Sequence, residues 1–152
     1  MSCSREALTF ARDLGDDMIA SWSLHNLGHV ALQAGGLATA AARFRESLLM
    51  RRRGGPSVNV AAGLARLASV ALRDGAPPEA ARLFGAVDAM LESAHGVLPP
   101  ADEQIREADL VGTRDRMGDE AFVAALREGR AASFDELDAM ASAVALRISG
   151  SS

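Results

Sequence analysis

The chain has 152 residues, 49% of them apolar, which is enough to bury a core and too apolar for a disordered segment. Its 16 basic residues, all Arg, face 20 acids, and the net charge of −4 argues against a non-specific nucleic-acid binder and a polybasic membrane anchor. The single cysteine, Cys3, excludes an internal disulfide and a Cys-rich metal site; with no apolar run of ~20 residues and no signal peptide, a soluble, cytoplasmic protein is expected.

Ala occurs 31 times and Tyr never, so helix formers dominate and an all-α chain is predicted. In chain order, residues 1–15 hold one amphipathic helix, with Ala7, Leu8, Ala11 and Leu14 as its stripe. Residues 16–55 form a first two-helix unit. Asp16 and Asp17 start it, Trp22, Leu24, Leu27, Val30 and Ala31 recur at helical spacing, and Gly35-Gly36 stops the first helix. The second helix carries Ala40, Ala41, Phe44 and Leu48 and closes on Arg51-Arg52-Arg53, cations suited to the negative end of the helix dipole. Residues 56–96 form a second unit, with a helix from Val58 to Arg73, a turn at Asp74-Gly75, a helix opened by Pro77-Pro78 and a stop at His95-Gly96.

The two units are copies. At an offset of 40, identities fall at Leu24/Leu64, Leu27/Leu67, Val30/Val70, Ala31/Ala71, Leu32/Leu72, Gly35/Gly75, Ala40/Ala80, Ala41/Ala81, Phe44/Phe84 and Met50/Met90. Residues 97–149 break the period. A helix from Pro100 to about Met117 ends at Gly118, a short one from Asp119 is closed by Gly129, and Ser133-x-x-Glu136 is a capping box before a last helix. Residues 150–152 are a tail.

Leu24, Leu27, Gly28, Gly35, Ala40 and Phe44, with Leu64, Leu67, Ala68, Gly75, Ala80 and Phe84, resemble the tetratricopeptide (TPR) repeat. Ala31 and Ala71 replace that family's usual Tyr, and the spacing of 40 exceeds its usual 34. The resemblance implies a right-handed superhelix of about seven helices with a divergent C-terminal cap. The later segments Ala81-Arg82-Leu83-Phe84-Gly85-Ala86, Leu98-Pro99-Pro100, Gly118-Asp119-Glu120-Ala121-Phe122, Glu128-Gly129-Arg130 and Ser133-Phe134-Asp135-Glu136 are similar to the C-terminal end of bacterial LuxR-type regulators and STAND-class signalling ATPases. That similarity implies a domain of a larger regulator. The chain has no phosphate-binding loop and no Lys to build one.

His25 and His29, at i and i+4, share a helix face and are weak candidates for a metal, although no His-Glu-x-x-His pattern surrounds them. The tetratricopeptide resemblance places both in a concave groove with Trp22 and Gln33, and adds Ser69 and Arg73 from the second unit. Arg66 and Arg73 could receive a carboxylate. Met50, Met90 and Met140 read as core filler, and the acids of Asp102–Asp109 and Asp135–Asp138 as solvated faces. Cys3 lacks a partner that would make it a nucleophile.

The expectation is a non-enzymatic, cofactor-free module that binds a peptide, a protein domain or a small effector through Trp22, His25, His29, Gln33, Arg66, Ser69 and Arg73, without nucleic acid or membrane. One alternative is a homodimer through Ala7, Leu8, Phe10 and Ala11; another is a stand-alone ligand or metal carrier using His25 and His29.

Overall fold

Helix-forming residues fill nearly the whole chain, and the computed structural model, which describes residues 17–54 and 57–149, contains only helices and turns among them. Seven α-helices follow one another among the described residues: α1 (Asp17–Gln33), α2 (Leu37–Arg51), α3 (Val58–Arg73), α4 (Pro77–Ala94), α5 (Pro100–Met117), α6 (Asp119–Ala131) and α7 (Phe134–Ser149). A 3₁₀ turn, Arg52–Gly54, follows α2. The helix expected before residue 15, its stripe Ala7, Leu8, Phe10 and Ala11, Cys3 and the 150–152 tail lie outside the described residues. No helix among those described is long and apolar enough to cross a membrane.

The internal repeat is reproduced in the backbone. Gly35 and Gly75 take φ of 83° and 84°, a left-handed conformation that glycine adopts without penalty. In the first turn Gly36 N–H donates to Ala31 O at 2.8 Å and Gly35 N–H to Leu32 O at 3.1 Å. In the second, Ala76 N–H donates to Ala71 O at 2.9 Å and Gly75 N–H to Leu72 O at 3.1 Å. Both helices therefore end in the same glycine-capped motif, 40 residues apart. Ala40, Ala41, Phe44 and Leu48 of α2 are buried, as are Ala80, Leu83, Phe84 and Val87 of α4. At Gly28 a Cβ would lie 2.6 Å from the Phe44 ring, so α1 and α2 meet at a distance that only glycine permits.

Every residue of α3 from Val60 to Leu72 is buried, which makes it the central helix. The last third folds around it. α6 packs against α4 through Gly85 and Gly129. A Cβ on either glycine would overlap a backbone carbonyl opposite, that of Leu126 for Gly85 and that of Arg82 for Gly129. The expected stop at Gly129 is thus corrected: α6 runs on to Ala131, and Gly129 serves close packing rather than termination.

The capping box of α7 forms as its spacing predicts. Ser133 N–H donates to Glu136 Oε1 at 3.1 Å, and Glu136 N–H to Ser133 Oγ at 3.2 Å. From there α7 runs back to α2 and also touches α3 and α4, burying Leu137, Ala141, Val144, Ala145 and Ile148. Arg52 pairs with Asp138, and Arg147 with Glu79 at 2.9 Å, along its length. Met90 is buried, while Met50 and Met140 pack half-buried against the core.

Candidate functional site

The face that α1 and α3 share is mostly covered, because α5 lies across it and packs on α3 and α4. The side of α5 that turns inward is polar: its buried residues are Asp102, Asp109 and Thr113. The acids at 102 and 109 are therefore not the solvated pair that their composition suggests. They are seven residues apart, two helical turns on one face, and each meets basic groups of the repeats.

Asp102 is 3% exposed and stands at the centre of the cluster. His29 Nε2 lies 2.9 Å from its Oδ1 and His25 Nε2 3.3 Å from the same atom. Arg66, fully buried on α3, places Nε 3.3 Å from that oxygen and donates from Nη2 to the Asp102 carbonyl at 3.1 Å. Arg51 closes the far side. Its Nη1 donates to Asn59 O at 2.9 Å and lies 3.4 Å from His25 Nδ1. Its guanidinium carbon sits 4.8 Å from the Trp22 ring centre, a cation–π contact. Phe44 floors the site, with its ring 5.4 Å from that of His25 and 5.8 Å from that of His29.

These contacts define the protonation of His25. Nε2–H donates to Asp102, and Nδ1 accepts from Arg51, so both ring nitrogens are used in the neutral form. Burial lowers the His25 pKa; the Arg51 charge adds to that, and the Asp102 carboxylate opposes it without winning. Burial alone would raise the Asp102 carboxyl, but the hydrogen bonds from His25 and His29 and the Arg66 charge hold it well below the usual carboxylate range. Burial also pushes both Arg51 and Arg66 down to about 10, where they remain charged at neutral pH.

A pH dependence follows. His25 is neutral when folded and has an ordinary pKa near 6.5 when unfolded, so its contribution to stability is complete above that value and is lost as pH falls below it. Asp102 contributes in the same sense, fully above about 3.9 and progressively less as pH falls through its folded range. Urea unfolding should show stability falling as pH drops from 7 to 5.5, and a further loss below pH 4. His25→Gln should flatten the first limb; an unchanged slope in that variant would remove His25 as its source.

The remaining expected site residues are more dispersed. Trp22 is half-buried beside His25, at 6.0 Å between ring centres. Gln33 is exposed at the end of α1. Ser69 is fully buried and turns its hydroxyl back to Ala65 O at 3.2 Å, so it faces no open groove. Arg73 is exposed and pairs with Asp109 at 3.1 Å. Asp102, Asp109 and Arg51 are additions of the structure. Arg51 does end α2, yet it is buried in the cluster rather than solvated at a helix terminus.

His25, His29 and Asp102 bring their ligand atoms within 4.8 Å of one another, a two-histidine, one-carboxylate set. The surrounding charges do not suit a cation. Metal on His25 Nε2 needs a proton on Nδ1 and an acceptor facing it, and Arg51 presents an N–H there. Two buried guanidinium groups add direct repulsion. The cluster is arranged to hold a carboxylate. No family model, curated protein or solved structure matches the chain.

Proposed function

We propose that this chain is a non-catalytic, tetratricopeptide-like interaction module of a bacterial regulator, and that the face made by α1 and α3 receives carboxylate-bearing helical segments. The observation that carries this reading is the seating of Asp102 among His25, His29 and Arg66, with Asp109 on Arg73 two turns further along α5. The repeated turns at Gly35 and Gly75 support the repeat assignment. In this chain α5 is the occupant, so a partner segment binds by exchange with it.

The test uses a synthetic peptide of residues 97–118, fluorescently labelled and added to the full-length Asp102→Asn variant, whose own α5 has lost the charge that Asp102 supplies. Saturable binding is expected, weaker to the wild-type chain, and weaker again when the peptide carries Ala for Asp102 and Asp109. Equal anisotropy curves for the acidic and Ala peptides would remove the carboxylate reading.

A further inference from the structure

The cluster holds more positive charge than its occupant balances. Arg51 and Arg66 are both buried and cationic, and among the described residues Asp102 is the one carboxylate paired with His25, His29 and Arg66 together. Arg66 Nη1 and Arg51 Nη2 are buried without a hydrogen-bond partner among the described residues, and Arg51 Nε is in the same position. A buried N–H left unpaired is unfavourable, so the site has donor capacity that Asp102 does not use. Guanidinium donors and imidazole N–H groups are the groups that bind oxyanions, carboxylates and phosphates alike. The His29 side chain is 19% exposed, so the cluster has an edge on the solvent.

We propose that His25, His29, Arg51 and Arg66 form a receptor for a small oxyanion, a free carboxylate or phosphate, which competes with the Asp102 side chain and loosens α5 from the repeats. The inference rests on the reading that this face recognises carboxylates, and it names a soluble effector for the same site. An incoming oxyanion would take over the bonds that Asp102 Oδ1 now accepts, and its further oxygens would meet the unpaired guanidinium nitrogens. A phosphate, with more acceptor atoms than a carboxylate side chain, uses more of that capacity. Binding and release of α5 are therefore linked, and each weakens the other's competitor.

The chain carries its own reporter. Trp22 is the sole tryptophan, and it touches both Arg51 and His25. The experiment titrates the full chain with inorganic phosphate, and separately with acetate, at constant ionic strength in a chloride background, reading Trp22 emission. A saturable change is expected with at least one of the two. Response to phosphate alone identifies the effector as a phosphoryl compound, and response to both or to acetate alone identifies a carboxylate. Asp102→Asn, which weakens the internal competitor, should tighten the response by at least about tenfold. Should that variant fail to fold, Arg51→Met in its place is expected to abolish the wild-type response.

No saturable change with either anion in the wild-type chain overturns the proposal. So does one equivalent of Zn²⁺ or Co²⁺ bound tightly, with the visible spectrum of a tetrahedral cobalt site. Peptide binding that persists without any anion response would sink this inference and leave the docking function standing. Anion binding without peptide binding would do the reverse.

Discussion

Asp102→Ala is expected to cost the fold about 3–5 kcal/mol, the range for removing one partner of a buried ion pair. The charge it leaves behind is the reason. Arg66 has no exposed surface, and the His25 and His29 Nε2 atoms would lose their shared acceptor. The melting temperature should fall by on the order of 10 °C. Burial of the pair is itself expensive, so replacing both members is a different matter. Asp102→Leu combined with Arg66→Met should recover most of the loss in a urea titration, while losing the response of Trp22 to anions. A cost below about 1 kcal/mol for Asp102→Ala would mean that water reaches Arg66 and that the cluster is not dry.

Phe44→Ala should be about as damaging, about 3–5 kcal/mol by the usual cost of deleting a buried aromatic side chain. Phe44 is wholly buried, and its ring fills the space in front of Gly28 and below both histidines. The close approach makes a coupling test available. Gly28→Ala alone should cost about 1–3 kcal/mol because the ring has to shift. In the double variant the new methyl enters space that the ring has vacated, so the combined loss should fall short of the sum by about 0.5–3 kcal/mol. Strict additivity in denaturation midpoints would show that the Gly28–Phe44 contact does not govern the α1–α2 approach.

Much of this architecture is readable from residues alone, for a physical reason. Gly35, Gly75 and the Ser133–Glu136 box act through local backbone chemistry, and local chemistry is written in adjacent positions. Phe44 and Phe84 follow from helical spacing and the offset of 40. Gly129 misleads, because a glycine that ends a helix and one that admits a neighbouring helix look the same in one dimension. The site is half legible. The spacing of His25 and His29 marks one wall, and Arg66 another. Asp102 is invisible in sequence because an acid in the first turn of a helix already has a sufficient explanation in the dipole. Only its partners, 73 and 77 residues away, distinguish it. Arg51 is hidden in the same way, by standing first in a run of three cations at a helix end.

The return of α7 to α2 gives the array a property that open repeat stacks lack. In a linear stack each unit touches only its neighbours, so the ends fray and partial unfolding is cheap. Here a clasp joins residues as far apart as Arg52 and Asp138 and shuts the array into a ring of contacts. Opening the α7 end then means breaking the clasp, and α2 to α7 should come apart as one unit rather than from that margin. Such closure delays assembly, since the clasp cannot form until most of the chain has been made.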